Sequence, residues 1–277
     1  MTVKIVTDSL ADLPANLTAE LDISVVPLTV NFGLESYRDG IDMTPEQFFA
    51  HLVSDKTLPK TSQPSAGDFG EVYAGLAAQG HDIVSIHASG VLSGTLNSAT
   101  QASKDAVGVG IELVDTLSAS LGEGLAVIAA ARLAQAGAPL DEVAQVARDA
   151  ASKLDLYFVL DTLEYLQKGG RIGRAQALLG TILSIKPILT LRDGEVHPFE
   201  RARTKAKAVA RMMEVVRSHG PYAEIAVLHS TTPAEMQAMV KELQPLSPEL
   251  PVITGAIGPA IGTYAGPGAL GVATRRA

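Results

Sequence analysis

"DIVSIHASGVLSGTLNSATQASKDA", Asp82–Ala106, reads as a strand, a turn and a helix in succession. Ile83, Val84 and Ile86 give the first segment strand character over 82–89. Gly90 and Gly94 then punctuate the chain around Ser93, and an alanine-rich polar run follows with helical composition over 94–106. The same rhythm extends to both sides. "VKIVTD" (3–8) predicts a strand and "DLPANLTAEL" a helix with Pro14 near its first turn. "ISVVPLTVNF" (23–32) predicts a second strand in which Pro27 marks an edge or a bulge. "TPEQFFAHLVS" carries Thr44 as cap, Pro45 at the first helical position and Gln47 three residues on, which is a capping box. A helix over 66–78, the strand "IELVDT" (111–116), alanine-rich helices over 119–153 and the strand "LYFVLDT" (156–162) follow. Repeated βα units predict a mainly parallel sheet covered by helices, with ligands beyond the carboxyl ends of its strands.

The pattern changes after about residue 160. "KPILTLRDGEVHPFERAR" predicts a hairpin turning at Asp193-Gly194, and helix 204–218, strand 223–229, helix 233–244 and strand 251–257 complete a mixed set. The reading is therefore α/β with two domains. Residues 1–158 form an N-terminal three-layer α/β/α domain, and 159–277 form a C-terminal two-layer α/β domain with a mixed sheet.

Composition narrows the function classes. The 277 residues are 47% hydrophobic and 19% charged, as in a globular protein with a substantial core. A net charge of -8 argues against nucleic acid as the main partner, and the absence of cysteine removes disulfides, thiolate metal sites and cysteine nucleophiles. The chain enters a strand at once, and no uncharged apolar run reaches the ~18 residues of a membrane helix, so a cytoplasmic protein without an integral membrane segment is expected.

Three polar clusters fall where strands should end. "TDSLADLP" (7–14) reads first as a turn or cap through Ser9 and Asp12. In "PKTSQPS" (59–65), Ser65 reads as a helix cap, which leaves Thr61 and Ser62 without a task. In "HASGVLSGTLNSA" (87–99), Ser93 and Gly94 stand at a strand-to-helix turn whose free N–H groups suit a carboxylate or phosphate. This is neither a Walker loop nor a dinucleotide fingerprint nor a nucleophile elbow. Basic residues gather in Lys168, Arg171 and Arg174, and again in Arg201, Arg203, Lys205 and Lys207; they read as solvated surface or as docking for an acidic partner. Tyr264, ahead of Gly266-Pro267-Gly268, can donate a hydrogen bond into a pocket, although "TYAGPGALGVA" itself reads as no more than a turn.

Taken in order, "TDSLADLP", "PKTSQPS", "SGVLSGTLNSA", "VDTLSASLGEG", "LEYLQKGGRIGRAQALLG", "IKPIL" and "GPGALGV" resemble the DegV family of fatty-acid-binding proteins over nearly the whole chain. The resemblance implies two α/β domains with a long-chain fatty acid, such as palmitate or oleate, held between them, and no metal or further cofactor. It implies a carrier rather than an enzyme, one that presents the carboxylate to a separate ATP-dependent fatty acid kinase making acyl phosphate for phospholipid synthesis, with transient membrane contact. Carried over to this chain, the carboxylate site uses Thr61 and Ser93, with Ser62, Gly94 and Tyr264 beside them; Lys168, Arg171, Arg174 and Arg203 are candidates for docking the kinase. Relatives commonly carry His where this chain has Tyr264, which is neutral at neutral pH. About 14 buried methylenes at ~0.8 kcal/mol each contribute on the order of 10 kcal/mol before the costs of binding. Two alternatives stand beside this reading: an enzyme of carboxylate or phosphate chemistry with Ser93 as nucleophile and Arg171 as phosphate clamp, and a carrier of another amphiphilic acid.

Overall fold

The computed structural model describes residues 2–55, 57–179 and 185–277. β1 (Val3–Asp8) leads through a 3-10 turn (Ser9–Ala11) into α1 (Ala15–Glu20). The segment 23–32 forms two strands. β2 (Ile23–Val26) runs parallel to β1, whereas β3 (Thr29–Phe32) pairs antiparallel with β4 (Glu35–Arg38) and β5 (Lys60–Ser62) in a separate small sheet. Pro27, which has no N–H to give a ladder, stands at the break. Between β4 and β5, α2 (Pro45–Ser54) begins with the expected box: Gln47 N donates to Thr44 Oγ1 at 3.3 Å and Thr44 N to Gln47 Oε1 at 2.9 Å.

α3 (Ala66–Ala78), β6 (Asp82–His87), α4 (Thr95–Ser103), β7 (Ile111–Asp115), α5 (Leu121–Gln135) and α6 (Leu140–Ser152) complete the first half. Its sheet is parallel throughout, in the order β2-β1-β6-β7. One face packs on α3 and α4 through Val6, Phe69, Tyr73, Ile83 and Ala99; the other packs on α5 and α6 through Ile5, Val84, Ile86, Val127 and Ala144. These are the three layers the periodicity predicts.

The second half runs through β8 (Leu154–Val159), α7 (Glu164–Lys168), a 3-10 segment (Gly173–Leu178), β9 (Lys186–Arg192), β10 (Glu195–Ala202), α8 (Lys205–His219), β11 (Glu224–His229), α9 (Pro233–Leu243), β12 (Ile253–Ala256), α10 (Pro259–Ala265) and β13 (Leu270–Arg275). The sheet order is β10-β9-β8-β13-β11-β12, with only β11 and β12 parallel. The hairpin turns at Asp193 (φ 51°) and Gly194 (φ 79°), two left-handed residues as a two-residue turn requires. Lys186-Pro187 opens β9; residues 180–184, ahead of it, lie outside the described residues. The stretch read as a turn near the C-terminus supplies part of α10 and the first four residues of β13, a central strand. Leu270 to Thr274 are buried without alternation, so the period-two signal of a strand is missing there.

α5 lies between the two large sheets. Leu125, Ala126, Val127, Ile128 and Ala130 have no exposed surface, as expected of a helix apolar on all sides. No helix among the described residues is long and apolar enough to cross a membrane. Truncating the central side chain, Leu125→Ala, is expected to cost about 2–5 kcal/mol, read as a lowered urea midpoint with an unchanged denaturant slope.

Candidate functional site

Four distant segments converge on the mouth of one cavity. On β5 the strand alternation turns Thr61 inward and its neighbours outward. Thr61 Oγ1 lies 2.5 Å from Tyr264 Oη, at the far end of α10. Ser93 stands just before Gly94, the N-cap of α4; its hydroxyl accepts from Thr95 N at 3.3 Å and lies 2.8 Å from Thr95 Oγ1. Arg171 reaches the same mouth from beyond α7. Its guanidinium covers the Tyr264 ring at 5.1 Å, and its Nε and Nη1 donate to the carbonyls of Leu92 (3.1 Å) and Gly169 (2.9 Å). Gly169 is required for this stack, since a Cβ there would fall 2.4 Å from Tyr264 Cδ1.

Behind the mouth the wall is apolar, including Leu10, Leu28, Leu156, Leu228, Ile257 and Leu270, and the cavity offers about 120 Å³ to the centre of a water-sized sphere. Hydroxyls with one guanidinium at the entrance and hydrocarbon behind suit an amphiphile with an anionic head. No ion-pair partner of Arg171 occurs among the described residues, which leaves its charge available. The sequence placed Arg171 with the docking cations; nothing in the spacing of "KGGRIGR" ties it to a tyrosine ninety-three residues on.

The other expected site residues sit differently. Ser62 points away from the cavity, and its hydroxyl accepts from Asn31 Nδ2 at 3.2 Å. Gly94 is covered by Gln63, which donates from Nε2 to the Gly94 carbonyl at 3.2 Å; a Cβ on Gly94 would meet Gln63 Oε1 at 2.1 Å. Lys168 pairs with Glu164 at 2.5 Å and Arg174 with Glu195 at 2.9 Å, both on the surface, and Arg203 is exposed. Ser65 is the cap of α3, accepting from Asp68 N at 3.1 Å.

For nucleophilic chemistry Ser93 would need a base, and its hydroxyl partner is Thr95. A Ser-His-Asp constellation does occur, but elsewhere. Ser85 Oγ lies 2.7 Å from His87 Nε2, and His87 Nδ1 lies 2.8 Å from Asp8 Oδ2; Tyr73 Oη donates to Ser85 at 2.7 Å and Phe69 packs edge-on against the imidazole. Ser85, His87 and Asp8 have no exposed surface, so this chain of hydrogen bonds is a sealed structural element. Among the described residues no group of His, Asp and Glu is arranged to hold a metal ion.

Around the first polar cluster the structure buries three more acids. Asp8 Oδ1 caps the turn by accepting from Leu10 N, as a turn reading expects. Asp12 goes further: at φ 49° it accepts from Gly258 N at 2.8 Å and from the Ser120 hydroxyl. Burial pushes Asp12 up to about 8 and Asp39 up to about 6, and raises Glu123, whose Oε1 accepts from Thr7, well above the usual carboxylate range.

Comparisons with known proteins agree with this architecture. The family model described as "Uncharacterised protein, DegV family" matches residues 2–276. A DegV domain-containing protein of Streptomyces coelicolor is 39% identical over 274 residues, 98% of this chain and 97% of its own length. Two solved structures align over 100% of both chains: a DegV family protein from Thermus thermophilus described for fatty acid binding (36% identity, TM-score 0.90), and DegV of Bacillus subtilis, described as a fatty acid binding protein (31% identity, TM-score 0.89).

The buried acids set a pH dependence. Asp12 keeps its proton in the folded chain up to about 8, whereas the unfolded chain releases it near 3.8, so its contribution to stability falls as pH rises across that window and is constant above it. The stability of Asp12→Asn relative to the parent should therefore rise with pH until about 8 and then level off, as measured by urea unfolding at stepped pH.

Proposed function

The chain belongs to the DegV family, and from the cavity's chemistry we propose that it carries a long-chain fatty acid of the palmitate or oleate class. The observation that carries this reading is one cavity lined by Thr61, Ser93, Tyr264 and Arg171 at its mouth and by aliphatic side chains behind. In the bound state the tail lies along Leu10, Leu28, Leu156 and Leu228, and the carboxylate takes hydrogen bonds from the three hydroxyls with the guanidinium of Arg171 alongside. Tyr264 contributes a neutral donor, and the positive charge comes from the arginine stacked on its ring. Residues from both halves line the cavity, which supports a lipid held between two domains.

We further propose that a separate fatty acid kinase phosphorylates the bound acid, and that Lys168, Arg174 and Arg203 dock it. Their support is exposure on an otherwise acidic protein, with Lys168 and Arg174 flanking Arg171 in sequence. A carrier of another amphiphilic acid would use the same donors, and solvent extraction of the purified protein followed by mass spectrometry identifies the cargo directly.

The double variant Thr61→Ala/Ser93→Ala should weaken labelled-oleate binding by about tenfold or more, while Ser65→Ala should lower stability by about 1 kcal/mol and leave affinity intact. Equal effects on affinity would remove the head-group assignment. Charge reversal at Arg174 and Arg203 should slow acyl phosphate formation in the presence of kinase and ATP while labelled oleate still binds; loss of both together would point to misfolding instead.

A further inference from the structure

We propose that Asp12 and Asp39 are positioning residues for the head-group site, holding the N-terminus of α10 so that Tyr264 is presented to Thr61. The proposal rests on the fatty-acid reading of the cavity.

α10 has seven residues, too few to set its own direction, so its ends decide where it points. At the start, Asp12 Oδ1 accepts from Gly258 N at 2.8 Å, and the buried carboxyl of Asp39 stands against the same glycine. The carboxylates crowd so closely that a Cβ on Gly258 would fall 2.8 Å from Asp12 Oδ1 and 3.3 Å from Asp39 Oδ1. Both acids are nearly sealed, at 9% and 4% exposure, and both are anchored from other parts of the chain. The Ser120 hydroxyl ahead of α5 bonds Asp12, and the backbone N–H of Asp39 donates to Leu28 O at 2.9 Å. Two buried acids beside the start of one short helix exceed what a cap needs; a single Ser or Asn satisfies an N-terminus.

Tyr264 lies six residues after Gly258, about 9 Å along the axis at ~1.5 Å per residue. A tilt at the N-terminus therefore moves its hydroxyl away from Thr61. Gly262, pressed against Phe48 and Phe49, serves as the pivot: a Cβ there would meet Phe48 at 2.7 Å. The arrangement explains why "TDSLADLP" places an acid at Asp12 in a left-handed conformation, where a plain turn would be satisfied by glycine or asparagine.

A double-mutant cycle on labelled-oleate affinity tests this. Asp12→Ala alone should weaken binding about tenfold, and in a Tyr264→Phe background it should cost less than about twofold, because the hydroxyl it places is already gone. Asp12→Asn, which keeps an acceptor for Gly258 and a polar group for Ser120, should bind within about threefold of the parent. If the alanine variant does not fold, Asp12→Ser, too short to bridge the two partners, takes its place in the cycle. An equal loss in both backgrounds, or an asparagine variant as weak as the alanine one, overturns the proposal. Failure of the parent protein to bind oleate would instead overturn the fatty-acid reading, and it shows in the parent arm alone.

Discussion

The structure depends on the first turns of α5, Leu121 to Ile128, being buried on every side. A helix wedged between two sheets must be narrow, and α5 meets this with alanine and glycine: Gly124 passes so near Ala11 that a Cβ would lie 3.0 Å from its carbonyl oxygen. One side closes the parallel sheet through Val127 and Ile128, and the other packs against β8, β11 and β13. Its entry is equally constrained. Ser120 adopts φ 54°, ψ −149°, its N–H bonds to Leu10 O at 2.7 Å, and it lines the cavity from this strained position. The relative placement of the two sheets, and so the cavity between their contributions, follows from the width of this one helix.

The functional groups at the mouth come from positions 61, 93, 171 and 264, each delivered by a different local device. Strand alternation delivers Thr61, a helix start delivers Ser93, the glycines at 169 and 170 let the chain double back to bring Arg171, and α10 delivers Tyr264. Thr61 and Tyr264 stand on a strand and a helix, while Ser93 and Arg171 are fixed by bonds to Thr95 and to the carbonyls of Leu92 and Gly169, which keeps the geometry of the mouth preorganised.

Legibility in the sequence followed the range of the interactions. The Thr44-Gln47 box, the Ser65 cap and the Asp193-Gly194 turn are bonds between near neighbours, and sequence spacing reveals them. Ser93 was legible as a strand-to-helix turn, but its pairing with Thr61 came only from resemblance to a family, because no local rule links residues thirty-two positions apart. Pro27 signalled an irregularity but not that the chain changes sheets there, since β5, which completes the small sheet on the other side of β3, lies beyond α2 in the sequence. β13 was hidden by its continuous burial, and Arg171 by the ordinary appearance of a surface cation. The roles of Asp12 and of the Asp8-His87-Ser85 chain rest on contacts across seventy-nine to two hundred and forty-six positions, which a single sequence does not encode as a pattern.

The apolar wall of the cavity is continuous with the largest cluster of core side chains; Leu10, Leu28, Leu156, Leu228 and Ile257 belong to both. An acyl chain lying there touches the same atoms that a leucine or phenylalanine would touch in a filled core. Cargo and scaffold then share one packing problem: each methylene retained adds contacts to the folded state alone. Loading becomes a contribution to folding free energy that grows with free ligand as RT ln(1 + [L]/Kd). On the proposed fatty-acid reading, resistance to unfolding would report how much of the protein is loaded, coupling its persistence to the supply of acid.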